Sequence, residues 1–208
     1  NMLFGSVCIG QTVYTQFVDA HLLNGLGLLS KKQNAKALED FLAAGTFPQN
    51  LETNELSTGP TVAKVAYHQG LAYKALGKAD EAKAAFEKCI ATAGGNARRA
   101  GQADESKYYV AMSQKALGQD AEAAATIKQM QDYVDQQLAQ SGATSVVDIY
   151  SKFGEDGTRD AITARNIYVQ GLVYLANGDK SKAKECFNNS LAIVPSNVWA
   201  KYYLGTCK

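Results

Sequence analysis

The segment 79–92 concentrates its apolar residues on one stripe. Ala82, Ala85, Phe86 and Cys89 stand at positions i, i+3, i+4 and i+7, and charged residues occupy several of the positions between them. Because an α-helix makes one turn about every 3.6 residues, this spacing places the four side chains on one face of the helix. The pattern predicts an amphipathic helix that packs through this stripe.

A second stretch of the chain repeats the pattern. Residues 70–89 read GLAYKALGKADEAKAAFEKC, and residues 171–190 read GLVYLANGDKSKAKECFNNS. The two stretches agree at 8 of 20 positions, as Gly, Leu, Tyr, Ala, Gly, Ala, Lys and Phe. The agreement spans two helical patterns and the glycine between them, so it indicates a repeated two-helix motif.

The repeat is 34 residues long, and four copies fit one register. The stronger copies, 63–96 and 164–197, carry Gly at position 8, Tyr at 11, Gly at 15, Ala at 20 and Phe at 24. The weaker copies, 18–51 and 104–137, keep part of this pattern. Residues 198–208 begin a fifth copy and then stop, as expected of a last helix that caps an array of repeats.

These residues resemble the tetratricopeptide repeat, a helix–turn–helix unit with the pattern W-x2-L-G-x2-Y…A-x3-F…P. The first Trp is absent, and Ala66 and Ile167 occupy its position. The resemblance implies an all-α fold, a right-handed α-solenoid of about four repeats and a C-terminal capping helix. Its domain would cover residues 18–208, with repeats 18–51, 63–96, 104–137 and 164–197, cap 198–208 and insert 138–163, preceded by a segment 1–17 that packs on the first repeat.

Each recurring residue has a packing or turn role in this interpretation. Gly or Ala at positions 8 and 20 lets the two helices approach closely, and the larger residues at positions 11 and 24 fill the space beside them. Gly at position 15, which is Gly77 in the second copy, ends the first helix in the left-handed conformation. Pro60 suits the first turn of a helix, so the next helix is expected to begin near residue 60 and to run to residue 76.

The insert 138–163 separates the third copy from the fourth. Helical spacing of apolar residues predicts a short amphipathic helix in its middle, formed by Val146, Ile149, Tyr150 and Phe153. The sequence GEDG is then expected to break the chain, and Asp160 to cap a lengthened first helix of the last repeat. Two roles remain open for the insert, an extra helix packed on the solenoid or a lid over its groove.

Composition and motifs argue against catalysis and against several kinds of ligand. The net charge is +1, from 21 Lys and Arg against 20 Asp and Glu, without the basic excess typical of nucleic-acid binding. No sequence motif of a zinc protease, a P-loop, a serine hydrolase or a dinucleotide-binding fold is present. We therefore expect no enzyme activity, no cofactor and no metal site. No apolar run approaches the ~18–20 residues of a membrane span.

The few chemically versatile side chains fit packing positions. The four cysteines match no metal-binding spacing, and Cys89 and Cys186 are predicted to be small buried apolar residues. Of the two histidines, His21 falls at a packing position, whereas His68 falls on the groove side of the second copy.

The resemblance also implies a concave groove lined by the first helix of each repeat. Six of the eleven tyrosines fall at positions 5 or 6, where side chains point into that groove in the family. Tyrosine offers a large contact area and a polar tip, which suits a binding surface. The alternative is that these tyrosines are buried inside the protein. The candidate binding residues are Lys64, Tyr67, His68, Lys74, Tyr108, Tyr109, Met112, Lys115, Arg165, Tyr168, Leu172 and Tyr202.

A known use of the family is to grip the C-terminal carboxylate of chaperone tails with Lys and Asn at positions 5 and 9 and Asn at position 6 of the next repeat. Tyr67, Leu71 and Tyr109 occupy those positions here, so this clamp is not expected. The predicted function is a non-catalytic scaffold that binds a protein or peptide segment in a tyrosine-rich groove.

A narrower resemblance suggests an alternative function. The stretches VDAHLLNGLGLLSKKQNAKALEDFLAAGTFPQNLE (18–52) and NIYVQGLVYLANGDKSKAKECFNNSLAIVPSN (166–197) are similar to the repeat region of large bacterial proteins associated with carbohydrate processing. The F-P-x-N-L turn and the long insert carry this likeness. It implies an accessory module that docks onto another domain of a longer bacterial chain, either cytoplasmic or exported to the periplasm or cell envelope.

Overall fold

A computed structural model describes residues 3–46, 59–92, 104–143 and 155–208 of the protein. Within these ranges the chain forms α-helices and no strand, which confirms the predicted all-α class. The helices are α1 (Leu3–Ser30), α2 (Asn34–Ala44), α3 (Pro60–Ala75), α4 (Ala79–Thr92), α5 (Ser106–Ala116), α6 (Asp120–Ala143), α7 (Glu155–Ala176), α8 (Lys180–Ile193) and α9 (Val198–Thr206).

The helices belong to two compact units. Unit 1 comprises residues 1–96 together with 112–119, and unit 2 comprises residues 97–111 together with 120–208. Helix α5 contributes its first turns to unit 2 and its end to unit 1.

Unit 1 contains two helix hairpins, α1–α2 and α3–α4, and α3 packs on both α1 and α2. Side chains also tie the hairpins together, since Gln69 Nε2 donates to the carbonyl of Phe41 at 3.0 Å and Asn34 Nδ2 donates to that of Ala75 at 2.8 Å. The leucine-rich face of α1 is partly covered within the unit: Leu22 and Leu26 are buried.

Unit 2 is built around α7, which packs on α6 and α8, and α8 in turn packs on α9. Ser190 Oγ on α8 donates to the carbonyl of Ala164 on α7 at 2.8 Å, inside the core. The side chain of Asn197 begins α9, because its oxygen accepts from the backbone N–H groups of Trp199 and Ala200 at 3.1 and 3.0 Å.

The glycine at position 8 of a repeat lies beneath a phenylalanine ring. A Cβ placed on Gly70 would stand 2.5 Å from Cε1 of Phe86, and one on Gly171 would stand 2.6 Å from Cε1 of Phe187. The first hairpin has the same arrangement, with Gly25 under Phe41. The predicted close approach of the two helices is therefore confirmed, but the nearest atoms belong to the residue at position 24 and not to the alanine at position 20.

Position 15 adopts the left-handed conformation in every repeat, as predicted for the end of the first helix. The φ angles are 73° at Gly77, 75° at Gly118 and 82° at Gly178. In the first copy the same position is Lys32, which has a φ of 59°. A residue with a Cβ adopts this conformation at a cost of about 1–2 kcal/mol. The first copy therefore makes the same turn with a strained backbone at Lys32.

Several boundaries differ from the predictions. Pro60 does occupy the first turn of α3, but the helix ends at Ala75. Helix α7 begins at Glu155, inside the sequence GEDG, so Asp160 lies within the helix and does not cap it. Glycine weakens a helix by only about 1 kcal/mol, which the packing of α7 offsets.

Both ends of the insert 138–163 continue neighbouring helices. Helix α6 runs to Ala143, and α7 takes up the residues from Glu155 onward. The amphipathic helix predicted around 146–153 lies outside the described residues. The described part of the segment 1–17 is continuous with the first repeat, because residues from Leu3 onward belong to helix α1.

Candidate functional site

Half of the twelve predicted binding residues are buried. A ligand cannot contact a buried side chain unless the surrounding helices move, so in this conformation these six residues contribute to packing. They are Lys64, His68, Tyr108, Tyr109, Tyr168 and Leu172. Four others are half-buried, and Lys74 and Lys115 are exposed; the half-buried ones are Tyr67, Met112, Arg165 and Tyr202.

Lys64 is held by an ion pair inside unit 1. Its Nζ donates to Oδ1 of Asp19 on α1 at 3.1 Å, and the residue is only 5% exposed. A buried ammonium group is stable only when it is paired, because it has lost its water. Lys64 therefore connects α3 to α1.

His68 is a neutral core residue. Its Nδ1–H donates to the carbonyl oxygen of Lys64 at 2.7 Å, and its ring lies against the rings of Phe41 and Tyr67, with centroids 5.6 and 5.2 Å away. Burial lowers the pKa of His68 to about 3, so the imidazole carries no charge at neutral pH. His21 is half-buried, which agrees with its predicted packing position, and its Nδ1 lies 2.9 Å from Oδ1 of Asp40.

The tyrosines of unit 2 form an aromatic cluster around Tyr203 of α9. The centroid of the Tyr203 ring lies 5.7 Å from that of Tyr108, 6.4 Å from that of Tyr168 and 5.9 Å from that of Phe187. Its hydroxyl donates to that of Tyr109 at 3.4 Å. Burial raises the pKa of Tyr109 well above its usual value, so the phenol stays neutral. The cluster anchors the last helix.

Trp199 and Tyr202 extend the cluster, with ring centroids 6.0 and 5.2 Å from that of Tyr203. Trp199 is buried as well, whereas Tyr202 is half-buried and forms the accessible edge of the cluster. Burial raises the pKa of Tyr202 as well. Arg165 pairs at long range with Glu105, its Nη1 lying 3.9 Å from Oε2 of that residue. The alternative interpretation of the tyrosines, burial inside the protein, thus describes most of unit 2.

Unit 1 retains an accessible surface on α3. Tyr67, Leu71 and Lys74 stand at i, i+4 and i+7 and share one side of the helix, which we call the α3 face. Tyr67 and Leu71 are half-buried and Lys74 is exposed. Within the part of the chain that the structure describes, Lys74 makes no ion pair. The Tyr67 ring is braced by Phe86, at a centroid distance of 6.1 Å.

A cavity of about 250 Å³ lies beside the end of the α3 face. It is open to solvent on one side and is mainly apolar. Sequence reasoning missed it, although small residues around a turn were a signal of unfilled space. The lining residues are Lys74, Gly77, Ala79, Ala82, Lys83, Phe86, Ala116 and Leu117.

The described residues contain no cluster of three or more His, Cys, Asp and Glu side chains that could hold a metal ion. Cys89 and Cys186 are buried, as predicted, and burial raises the pKa of each thiol to about 11. At that pKa the reactive thiolate is scarce at neutral pH. No helix of the described ranges has the length and apolar character needed to cross a membrane.

Paired antiparallel helices with a glycine under a phenylalanine, repeated along the chain, define a helical-repeat protein. Folds of this kind are typically non-catalytic and typically serve protein–protein interaction. The family model of the tetratricopeptide repeat matches residues 63–94 and 164–197. The two matched segments are thus similar to tetratricopeptide repeats, and they correspond to the α3–α4 hairpin of unit 1 and the α7–α8 hairpin of unit 2.

Comparison with curated proteins and with solved structures found no match. The narrower resemblance to bacterial carbohydrate-processing proteins thus receives no support from these comparisons and stays a prediction.

Proposed function

We propose that this protein is a non-catalytic interaction module and that it binds a segment of a partner protein through the α3 face. The observation that carries the proposal is the accessibility of Tyr67, Leu71 and Lys74, on a repeat that matches a family of interaction modules. The neighbouring groove candidates Lys64 and His68 are buried.

The chemistry of the α3 face suits a peptide. Tyr67 and Leu71 offer apolar contact area, and the Tyr67 ring is already braced by Phe86, so little conformational entropy is lost when it is covered. Lys74 adds a positive charge that distinguishes acidic from basic segments. The proposed site thus contains fewer residues than the predicted groove, because most of the groove tyrosines of unit 2 are buried in the aromatic cluster.

Lys74 offers the cleanest test of this site. Charge reversal at Lys64 would break a buried ion pair, and reversal at Arg165 would disturb Glu105, so either change confounds binding with stability. Lys74→Glu changes an exposed side chain, and Lys88→Glu on α4 makes the same change in charge outside the α3 face and the cavity.

The experiment selects peptides from a random display library on the purified protein and measures their affinities by isothermal titration calorimetry. We expect selected peptides to lose about tenfold or more in affinity on Lys74→Glu and to be nearly unaffected by Lys88→Glu. Equal effects of the two variants, or no selected peptide at all, would contradict the proposal.

The alternative proposal is an accessory module that docks onto another domain of a longer bacterial chain, exported or cytoplasmic. Its support is the sequence resemblance, together with two exposed apolar residues that flank the α8–α9 turn: Ile193 at 38% and Val198 at 43%. If this proposal holds, replacing both residues with Glu should abolish cross-linking to the adjoining domain in the full-length protein. Unchanged cross-linking would count against it.

A further inference from the structure

We infer that the cavity beside Lys74 is a pocket for one large apolar side chain of an acidic peptide segment. The inference rests on the proposed function and names the chemistry of its partner. The pocket lies where the α3–α4 turn of unit 1 meets the end of α5, at Ala116 and Leu117. A segment that lies along the α3 face reaches it at Lys74, which belongs to both surfaces.

The volume of the cavity matches a single large apolar side chain better than a whole small-molecule ligand. An apolar cavity of about 150 Å³ in a protein is large enough to bind benzene. The present cavity, at about 250 Å³, therefore has room for a phenylalanine-sized or leucine-sized group. Pockets for whole small-molecule ligands start at about 300 Å³ and enclose most of the ligand surface, whereas this cavity is open on one side.

The walls of the cavity are preformed. Phe86 is 2% exposed, and its ring rests directly on the backbone of Gly70, so it cannot swing into the space. Ala79 and Ala82 on α4 leave the volume empty because they have no side chain beyond Cβ. A ligand group would therefore find an apolar surface already in place, without the entropic cost of ordering it.

The charges at the cavity select an acidic segment. Both charged side chains of the lining are lysines, Lys74 and Lys83. Among the described residues, Lys83 pairs with Glu87 alone, at a distance of 3.9 Å between exposed groups, and such a pair is weak. A carboxylate placed beside the buried side chain would meet two ammonium groups, whereas a basic segment would be repelled.

The test uses peptides selected from a random display library on the wild-type protein. We expect an enriched pattern of one large apolar residue flanked by Asp or Glu. In the enriched peptide, replacing the apolar residue with Ala should weaken binding by about tenfold or more, as expected for the loss of one buried side chain. Replacing the flanking acids with Asn or Gln should weaken it by about twofold to fivefold.

A cavity-filling variant locates the interaction. Ala79→Leu places a side chain in the mouth of the cavity from an exposed position, and Ala84→Leu adds the same group at an exposed position of α4 outside the lining. We expect Ala79→Leu to remove the preference for the apolar residue over Ala, and Ala84→Leu to preserve it. Thermal melting of both variants verifies that they fold.

The outcomes separate this inference from the proposed function. If selected peptides lack the pattern, or if Ala79→Leu retains the full preference, the cavity is not the pocket and the inference is overturned. Binding that is then weakened by Lys74→Glu and by Leu71→Ala, but not by Ala79→Leu, would leave the α3 face as the site. If no peptide is enriched on the wild-type protein, both proposals fail.

Discussion

The contact between Gly70 and Phe86 offers a direct test of how the two helices of a repeat pack. In a Gly70→Ala variant, the new Cβ would lie 2.5, 2.7 and 2.9 Å from three atoms of the Phe86 ring. Separations below about 3.0 Å are essentially never seen for a Cβ, so the ring or a helix must shift. Phe86 is only 2% exposed, and its surroundings leave it little room.

Two opposing effects set the expected magnitude. Overpacking a filled core costs about 1–3 kcal/mol, and three close contacts to a single ring place this site near the upper end. Replacing Gly with Ala inside a helix stabilises the folded protein by about 1 kcal/mol, because Ala loses less conformational entropy on folding. We therefore expect Gly70→Ala to lower the free energy of unfolding by about 2 kcal/mol.

The assay is urea unfolding followed by far-ultraviolet circular dichroism, with Gly27→Ala as the matched control. Among the described residues, no atom outside the backbone of α1 itself lies within 4 Å of a Cβ on Gly27, so this variant should gain about 0.5–1 kcal/mol of stability. Phe86→Leu should partly relieve the clash, and a double-mutant cycle should show a favourable coupling of about 1 kcal/mol or more. A Gly70→Ala variant as stable as Gly27→Ala, or a coupling near zero, would refute the packing described here.

Three further predictions concern strain, protonation and thiol chemistry. Lys32→Gly should raise the free energy of unfolding by about 1 kcal/mol in the same urea assay, because Gly adopts positive φ without strain; a loss of stability would contradict the strained turn. Because burial lowers the pKa of His68 from 6.5 to about 3, below pH 6.5 the unfolded chain binds a proton that the folded chain does not. Stability should therefore fall by about 2 kcal/mol between pH 7 and pH 5, and His68→Gln should remove this part of the pH dependence; identical pH profiles would count against a buried neutral histidine. Because burial raises the pKa of the Cys89 and Cys186 thiols to about 11, iodoacetamide at pH 7.5 should alkylate them far more slowly in the native protein than in urea, as measured by mass spectrometry, and equal rates would show that they are accessible.

The repeat framework was predictable from the sequence because its residues recur in one register. Gly70, Gly77 and Phe86 have counterparts at Gly171, Gly178 and Phe187, and the structure gives each pair the same role. A recurring residue reports a recurring environment, so a packing or turn role could be inferred without knowing the rest of the fold.

The candidate site was less predictable because burial depends on contacts between distant segments. Tyr67 and Tyr168 occupy the same position of two repeats, but Tyr67 stays half-buried, whereas Tyr168 is covered within the aromatic cluster around Tyr203. Likewise, a lysine on the groove side suggests a ligand, and the sequence does not show that Asp19, 45 residues before Lys64, reaches its ammonium group.

The first residue of α7 was not predictable, because a local signal for a break competes there with the packing of the whole helix. The GEDG sequence favours a break, yet the helix begins at Glu155 and passes through Gly157. Helix propensity is a weak local preference, and packing of the long helix against α6 and α8 outweighs it.

The central claim is that the α3 face of unit 1, and not the tyrosines of unit 2, contacts the partner segment. Amide chemical-shift mapping by nuclear magnetic resonance, with a peptide selected on the wild-type protein, tests this directly. We predict that the perturbed amides cluster between Tyr67 and Phe86, while those of Tyr108, Tyr168 and Tyr203 stay unchanged. Perturbations centred on the aromatic cluster, with the α3 face silent, would contradict the claim.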